Sequence, residues 1–251
     1  MNFNVVIPAR LGSTRLPRKV LREIHGRPLV RYVWEAAKKS GAQKIIIATD
    51  DSQVLDVCRG FGADVRMTSA AHHSGTDRAH EVARMENWSA DEIVVNLQGD
   101  EPMMPPALLR QVADLLAADS TADIATLCHP LHSREEWLNP NFVKVVTDAQ
   151  GHALYFSRAP IPWKRAPDNF ADGLTFRHIG LYAYRAGALA RFSQLAPHPL
   201  EECEALEQLR ALAHGMKIKV GVVDSPPPRG VDTEDDLRAV GELLPSPLRD
   251  L

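Results

Sequence analysis

The chain has 251 residues, of which 45% are hydrophobic and 24% are charged, and 29 basic against 32 acidic residues give a formal net charge of −3. This composition is typical of a globular protein that can bury a sizeable core. It argues against a nucleic-acid or membrane surface held by bulk positive charge, and the sequence has no run of about 18 apolar residues that would predict a membrane-spanning helix.

The N-terminus and the cysteines indicate the compartment. Residues 1–4 lead directly into an apolar run at 5–7, without the basic segment and the long apolar core of a secretory signal peptide. Cys58, Cys128 and Cys203 are odd in number, far apart and outside any CxxC pair, which predicts neither a disulfide framework nor a zinc site. We therefore expect a cytoplasmic protein.

Strand and helix patterns alternate through the first 130 residues. Continuous apolar runs predict strands at 5–7, 45–48, 65–67, 93–97 and 124–127, and helical spacing predicts helices between Pro28 and Gly41 and over 54–61, 77–85 and 105–118. This order indicates an α/β fold with a Rossmann-like, doubly wound, mostly parallel sheet. Ligands bind such sheets beyond the carboxyl ends of the strands, where polar segments follow at 10–19, 50–51 and 98–100.

The pattern changes after about residue 130. We predict a hairpin from strands at 142–147 and 153–156, an irregular proline-rich segment at 159–175, a strand at 179–184, one helix over 200–214 and a strand at 218–223, with Thr233 capping the last helix. The single chain is therefore expected to form a core from residues 1–130 and 215–251, with a smaller α+β region, 131–214, inserted into it.

The segment from 10 to 19 is the densest polar motif. It supplies four cations, Arg10, Arg15, Arg18 and Lys19, and the amides and hydroxyls of Gly12, Ser13 and Thr14. Cations and turn amides together form a cradle for polyphosphate oxygens, although the spacing is not that of a P-loop. The alternative is a solvated basic loop, but the position directly after the first strand favours a ligand site.

Two acidic motifs could hold a metal ion. Asp100 follows the strand at 93–97 and a glycine that permits close backbone approach, and Asp232 precedes the last predicted helix. Carboxylates beside phosphates suit Mg²⁺. Each aspartate alone is explained more simply as a cap or acidic turn, so only the convergence of both on one ion would be specific.

The motif HHSGTDR at 72–78 offers paired histidines, but no matching ligand set is near, and a transition-metal site is not favoured. Ser74 and Gly75 before a helix are better interpreted as a backbone platform for a small ligand. Cys58 and Cys203 lie on helical patterns and are expected to pack rather than to act as nucleophiles.

Seven motifs in order resemble those of the sugar-acid cytidylyltransferases. They are VIPARLGSTRLPRK at 6–19, SGTDR at 74–78, NLQGDEP at 96–102, ALYFSR at 153–158, RHIGLY at 177–182, LEQLR at 206–210 and GVDT at 230–233. Arg18 stands where the family pattern has glycine, and His73 where another polar residue is common. The resemblance covers nearly the whole chain.

The resemblance implies a fold of the nucleotidyltransferase type whose inserted region serves sugar binding and dimerisation. It implies transfer of CMP from CTP to the anomeric hydroxyl of 3-deoxy-D-manno-octulosonate (KDO), giving CMP-KDO and pyrophosphate and activating KDO for lipopolysaccharide synthesis. It also implies Mg²⁺ held by Asp100 and Asp232.

The same resemblance assigns residues to roles. The implied nucleotide-binding residues are Pro8, Ala9, Arg10, Arg15, Lys19, Ser74, Gly75, Arg78, Gln98 and Asp100, and the implied catalytic residues are Arg10, Arg15, Lys19, Asp100 and Asp232. The implied sugar-binding residues are Gln98, Arg158, Arg165, His178, Tyr182, Glu207 and Gln208. By itself His178 could equally be a hydrogen-bonded strand histidine, and Glu207 a solvated helix residue.

Alternatives remain at the level of sequence. The substrate could be a related acid such as an 8-amino KDO analogue or a sialic acid, or the chain could bind a nucleotide sugar without turnover. The resemblance further implies a C2 homodimer formed through residues ~130–200, and the aromatic side chains Trp137, Phe142, Tyr155 and Phe156 there would face the partner. No nucleic-acid or membrane partner is expected.

Overall fold

The computed structural model describes residues 2–12, 15–165 and 170–244, which form two compact units. Unit 1 draws its described residues from Met1–Gln111 and Pro227–Leu251, and unit 2 is Val112–Pro226. The boundaries expected from the sequence, after residues 130 and 214, stay a prediction. Within the described residues, no helix combines the length and apolar character needed to cross a membrane.

Eleven strands lie in the described part of the chain. They are β1 Asn4–Pro8, β2 Glu23–Ile24, β3 Arg27–Pro28, β4 Lys44–Thr49, β5 Asp64–Met67, β6 Ile93–Asn96, β7 Ile124–Pro130, β8 Lys144–Thr147, β9 Ala153–Ser157, β10 Phe176–Arg185 and β11 Ile218–Val222.

Nine α-helices lie in the same described residues, together with a short 3₁₀ helix at Lys19–Leu21. They are α1 Leu29–Lys38, α2 Ser52–Gly60, α3 Gly75–Met85, α4 Pro106–Ala118, α5 Arg134–Leu138, α6 Ala186–Phe192, α7 Pro199–Glu204, α8 Gln208–Ala213 and α9 Glu234–Leu243.

The larger sheet of unit 1 is parallel. Its strands lie in the order β6, β1, β4, β5, with Val5 aligned to Ile45 on one side and to Val95 on the other. All five residues of β1 are buried, as expected for a parallel strand covered on both faces. Because parallel strands end at the same edge, the segments after β1 and β6 begin side by side.

Local capping fixes where two helices of unit 1 begin. Ser74 caps α3 and exchanges hydrogen bonds with Asp77, and Thr233 caps α9 in the same way with Asp236. The prediction that Thr233 caps the last helix is therefore confirmed.

A small apolar cluster fixes the segment before α9. Val231 is fully buried among Leu16, Ile24 and Leu29, which precede or begin α1. The backbone N–H of Val231 donates to the carbonyl oxygen of Asp100 at 2.8 Å. Burial and this hydrogen bond hold the neighbouring Asp232 close to Asp100, although the two are far apart in the chain.

The strands of unit 2 are mixed. Strand β7 pairs in parallel with β11 and antiparallel with β10, which in turn pairs with β8, and β8 and β9 form the predicted antiparallel hairpin. Parallel pairing in the larger sheet of unit 1 and along β7 and β11, with flanking helices, confirms the predicted α/β class with a mostly parallel sheet.

The single helix predicted over 200–214 is wrong. Helix α7 ends at Glu204, Ala205 adopts a left-handed conformation with φ 51°, and α8 begins at Gln208. The Arg158 guanidinium donates to the carbonyl oxygens of Glu204 at 2.7 Å and Ala205 at 3.4 Å. These hydrogen bonds from another element satisfy carbonyls at the end of α7, so the chain turns there despite its high local helix propensity.

The aromatic residues expected to face a partner are mostly inside unit 2. Trp137 and Phe156 are fully buried and Phe142 is 7% exposed. These side chains therefore offer no apolar face to a second chain. The most exposed of the large apolar side chains described in unit 2 are Leu154, Trp163 and Leu174, each more than 60% exposed.

The three cysteines have different surroundings and no disulfide. Cys58 and Cys128 are buried, and burial raises the pKa of each thiol to about 12. Cys203 is exposed on α7. The expectation that Cys58 packs is consistent with its burial, whereas Cys203 does not pack.

Candidate active site

A cavity of about 360 Å³ lies in unit 1, where β1 and β6 end. Its lining includes ten of the eleven residues assigned to the nucleotide, the metal or catalysis within unit 1, namely Pro8, Arg10, Arg15, Lys19, Ser74, Gly75, Arg78, Gln98, Asp100 and Asp232. Among the described residues the lining does not include Ala9, which is fully buried and donates its N–H to the carbonyl oxygen of Ala48 at 2.8 Å. Ser13 and Thr14 lie outside the described residues.

Gly99 lets the two strand ends approach each other. Its N–H donates to the carbonyl oxygen of Pro8 at 3.2 Å, and a Cβ at this position would lie only 2.6 Å from the same oxygen. No side chain fits there without moving the backbone. The flanking Gln98 and Asp100 are thereby held against the end of β1.

Gly75 has a similar role at the start of α3. A Cβ there would lie 3.1 Å from the side-chain amide of Gln98 and 3.1 Å from Cγ of Pro8. The glycine thus lets Pro8, Gly75 and Gln98 pack closely into one wall of the cavity. A surface of this kind suits a planar ring and offers amide groups for hydrogen bonding.

Lys19 lies between the two predicted metal-binding carboxylates. Its ammonium donates to Asp100 Oδ2 at 2.6 Å and to Asp232 Oδ1 at 3.0 Å, and Arg15 Nη2 lies 2.9 Å from the same Asp232 oxygen. Burial lowers the pKa of Lys19, but the two carboxylates outweigh burial and raise that pKa above its ordinary value. The lysine therefore stays charged at neutral pH.

The backbone before Lys19 explains how the lysine is placed. Arg18 adopts a left-handed conformation, φ 57° and ψ 30°, immediately before the 3₁₀ helix that begins at Lys19. Glycine adopts this conformation without strain, which accounts for the glycine expected here from the family pattern. Arg18 nevertheless adopts the left-handed conformation here, with Lys19 directed to both carboxylates.

Arg78 is engaged with its own unit. Its guanidinium donates to Asp50 Oδ2 at 2.5 Å, to Thr68 Oγ1 at 2.8 Å and to the carbonyl oxygen of Ser69 at 3.2 Å, and the residue is only 2% exposed. These contacts join α3 to the segments that follow β4 and β5. Arg78 therefore shapes the cavity wall as well as lining it.

The carboxylate pair fits a divalent cation that is shared with a ligand. Asp100 and Asp232 both contact the Lys19 ammonium, so the two carboxylates lie close enough to each other to share a cation. Mg²⁺ is commonly held by one or two carboxylates together with substrate phosphates. Within the described residues no group of three or more His, Cys, Asp or Glu side chains could hold a metal alone.

The residues assigned to the sugar lie in unit 2. His178 on β10 is largely buried, with Nε2 2.9 Å from Thr126 Oγ1, and burial and the neighbouring Arg177 lower its pKa to about 3. Its imidazole is therefore neutral. The hydroxyl of Tyr182 is buried without a hydrogen-bond partner among the described residues, and burial raises its pKa well above the ordinary value.

The remaining sugar-assigned residues differ in their surroundings. Glu207 immediately precedes α8 and Gln208 begins it, both partly buried, and Arg165 is exposed. Arg158 also donates to the carbonyl oxygen of Pro140 at 3.1 Å, in addition to its two bonds at the end of α7. Arg158 thus has a clear structural role, and its contact with a sugar stays a prediction.

The sequence model of the cytidylyltransferase family matches residues 4–218. The chain belongs to the cytidylyltransferase family. The resemblance expected from the seven motifs is confirmed.

Curated relatives of this cytidylyltransferase carry a more specific name. Proteins named 3-deoxy-manno-octulosonate cytidylyltransferase are 52% identical in Marinobacter nauticus and 55% identical in Aeromonas hydrophila, each over 254 aligned residues. Each alignment covers 97% of this chain, and it covers 97% and 99% of the relative, respectively.

Solved structures agree with the fold. The structure of CMP:2-keto-3-deoxy-manno-octonic acid synthetase complexed with CTP is 40% identical, covers 100% of this chain and 99% of its own, and superimposes with a TM-score of 0.88. A cytidylyltransferase from Leptospira borgpetersenii is 17% identical over 96% of this chain and 84% of its own, with a TM-score of 0.61, and shares the fold.

Some residues of this cytidylyltransferase site were not assigned to it from the sequence. His72 and His73 line the cavity, and Asp50 holds Arg78. Asp50 belongs to a polar segment that follows a predicted strand, so its position was a usable indication. Nothing in the local sequence indicates that His72 pairs with Glu81, because Glu81 resembles an ordinary solvent-facing helix residue.

Proposed function

We propose that the protein transfers CMP from CTP to the anomeric hydroxyl of KDO and releases pyrophosphate. One observation carries the proposal: Lys19, Asp100 and Asp232 converge with Arg15 in one cavity at the ends of β1 and β6. Relatives that are 52–55% identical over nearly the whole chain bear the name of that activity.

The nucleotide would bind along the cavity. Arg10, which is exposed, would hold the triphosphate together with Arg15 and Lys19. Guanidinium and ammonium groups are strong partners for phosphate oxygens. Cytosine would lie against Pro8, Ser74, Gly75 and Arg78, which line the cavity, with Gln98 near both substrates.

The transfer would be an in-line displacement at the α-phosphorus. The anomeric oxygen of KDO forms a bond to that phosphorus, and the bond to the bridging oxygen of the departing pyrophosphate breaks. Such reactions need alignment and neutralisation of charge more than a covalent catalyst. Lys19 and Arg15 would stabilise the negative charge that accumulates on the leaving pyrophosphate.

Asp100 and Asp232 would hold Mg²⁺ beside Lys19, since the two carboxylates lie close to each other on either side of its ammonium. When bound, the cation would offset repulsion between two anionic substrates and lower the pKa of the attacking hydroxyl. Lys19 would then contact phosphate oxygens as well as carboxylates.

The sugar acid would be recognised by groups of unit 2. The neutral imidazole of His178 can accept or donate one hydrogen bond, and the buried Tyr182 hydroxyl can donate to a sugar oxygen. Glu207 and Gln208 would bind sugar hydroxyls, and Arg158 and Arg165 would supply cations for the carboxylate.

The product CMP-KDO would serve as the activated donor of KDO for lipopolysaccharide synthesis, and we place the protein in the cytoplasm. The proposed C2 homodimer would form through residues ~130–200, where Leu154, Trp163 and Leu174 expose apolar surface. Light scattering at micromolar concentration should give the mass of a dimer. A monomer under these conditions would contradict the proposed assembly.

A coupled pyrophosphate-release assay tests the reaction. With Mg²⁺ and CTP we expect KDO to be used with a higher kcat/KM than an 8-amino KDO analogue or a sialic acid. CTP should be strongly favoured over ATP and GTP, and UTP should show partial activity. Equal kcat/KM for ATP and CTP would refute the assignment, and binding of CTP without pyrophosphate release from any acid would indicate a non-catalytic protein.

A further inference from the structure

A short turn between β5 and α3 forms part of the nucleotide cavity. Residues 69–72 lead directly to His73, Ser74 and Gly75, and His72 itself lines the cavity. Within the turn, the backbone N–H of His72 reaches the carbonyl oxygen of Ser69 at a long 3.4 Å. The backbone N–H of Ala71 also donates to Ser69 Oγ at 3.1 Å, so the part of the turn that depends on contacts from outside is its end at His72.

Glu81 on α3 provides that contact with a single carboxylate oxygen. Its Oε2 accepts from the backbone N–H of Ser69 at 2.8 Å and lies 2.6 Å from Nε2 of His72. Both ends of the turn are thus fastened to one side chain, two helical turns beyond the cap at Ser74. Burial raises the pKa of Glu81, but the bonds from Ser69 and His72 outweigh burial and lower it. The carboxylate is therefore ionised at neutral pH.

We propose that Glu81 is a positioning residue for CTP, which acts by holding the turn 69–72 so that His72 and the platform at Ser74 and Gly75 are ordered before the nucleotide binds. The inference rests on the proposed function, since it concerns the same cavity. Glu81 is not among the residues that line the cavity in the described part of the chain, so its effect passes through the turn.

Arg78 holds the start of the turn, whereas Glu81 also holds its end at His72. Arg78 holds the carbonyl oxygen of Ser69 and the hydroxyl of Thr68, which anchors the start of the turn. The imidazole of His72 has Glu81 as its hydrogen-bond partner at the other end. Without Glu81 the end nearest the platform would have to be ordered when the nucleotide binds, which weakens binding.

The test compares full-length variants by calorimetric titration with CTP in the presence of Mg²⁺ and by steady-state kinetics. Glu81→Ala should raise the Kd and the KM for CTP by about tenfold, which is about 1.4 kcal/mol. The kcat should stay within about twofold and the KM for KDO should not change, because the turn acts on nucleotide binding alone. Glu81→Gln keeps an acceptor for the Ser69 N–H and should recover most of the affinity.

Glu86→Ala is the matched control. Glu86 directly follows α3, is similarly buried and is paired with Lys44 and Arg66, so its loss also removes a buried carboxylate that holds two partners. Glu86 is not among the described residues that line the cavity. We expect Glu86→Ala to lower the melting temperature as much as Glu81→Ala does and to leave the affinity for CTP unchanged.

Hydrogen exchange of the nucleotide-free protein helps to distinguish a failure of the positioning role from a failure of the proposed function. In Glu81→Ala the amides of 69–73 should exchange faster than in the wild type with no nucleotide present. Normal CTP affinity in Glu81→Ala, or an equal loss in Glu86→Ala, would overturn the positioning role alone. A wild-type protein that does not bind CTP would refute the proposed function, and the role with it, even if exchange at 69–73 changes as expected.

Discussion

Replacing Gly99 by alanine should damage both stability and activity, because the new methyl group has no room. The added Cβ would lie 2.6 Å from the backbone oxygen of Pro8, whereas ordinary contacts begin near 3.4 Å. About 0.8 Å must therefore be taken up by the ends of β1 and β6. These ends are joined by the hydrogen bond from Gly99 to Pro8, so no flexible side chain can yield instead.

The magnitude follows from the cost of overpacking. Forcing one extra carbon into a well-packed site costs about 1–3 kcal/mol. For a chain of this size that corresponds to a fall in melting temperature of roughly 3–10 °C. Asp100 is the next residue, and a displacement of about 1 Å at a reacting group can cost roughly a hundredfold in rate. We expect kcat/KM to fall by about tenfold to a hundredfold.

Calorimetry and the pyrophosphate-release assay measure both effects, with Gly60→Ala as the control. Gly60 ends α2, and a Cβ there meets no atom within 4 Å. Alanine at that position should leave activity unchanged and stability equal or up to about 1 kcal/mol higher. Wild-type melting temperature and activity in Gly99→Ala would refute the argument that the close approach of the two strands is required.

Three other predictions concern charge and recognition. Asp100→Asn and Asp232→Asn should each remove most turnover, and EDTA should do the same; full activity in EDTA or in either variant would contradict the proposed metal site. Gln208→Ala should raise the KM for KDO by about tenfold and leave the affinity for CTP nearly unchanged, whereas Arg15→Ala should lower the affinity for CTP in calorimetric titration. Equal effects of both variants on the affinity for CTP would show that the residues are wrongly divided between the nucleotide site and the sugar site. His178 has a pKa of about 3 in the folded protein and 6.5 in the unfolded chain, so below pH 6.5 the unfolded chain binds more protons than the folded protein. As the pH is lowered from 6.5 towards 3, the free energy of unfolding should therefore fall by about 1.4 kcal/mol for each pH unit. When the pH is lowered from 6.5 to 5, urea denaturation should show that the free energy of unfolding falls by about 2 kcal/mol more for the wild type than for His178→Gln. Equal falls in the two proteins would disprove the lowered pKa of His178.

The sequence was most informative where local patterns decide structure. The apolar runs of β1, β4 and β6 are continuous because these strands are buried on both faces, and Ser74 and Thr233 provide caps that can be recognised without tertiary information. The two-residue strands β2 and β3 have no such periodicity. The turn at Ala205 could not be predicted because it depends on hydrogen bonds from Arg158, which is 47 positions away.

The candidate site divides in the same way. Motif spacing and family resemblance selected the residues of the cavity, including Lys19 and both aspartates. Their convergence on one ammonium could not be derived from spacing, because Lys19 is 81 positions from Asp100 and 213 from Asp232. The role of Glu81 could not be predicted, because the sequence pattern of a glutamate on a helix is the same whether its side chain faces solvent or binds a neighbouring turn.

The different environments of the three cysteines make the native protein suitable for labelling at one position. Alkylating reagents attack the thiolate and need access to the sulfur. Cys58 and Cys128 have a pKa of about 12, so they form little thiolate, and their burial denies the reagent access to the sulfur. Cys203, in contrast, is exposed on α7. A maleimide dye would therefore attach next to Glu204, whose carboxylate binds the Ser157 hydroxyl at 2.5 Å and the Arg158 N–H at 2.8 Å. The fluorescence of that dye would report on the segment assigned to the sugar acid without any cysteine having to be removed.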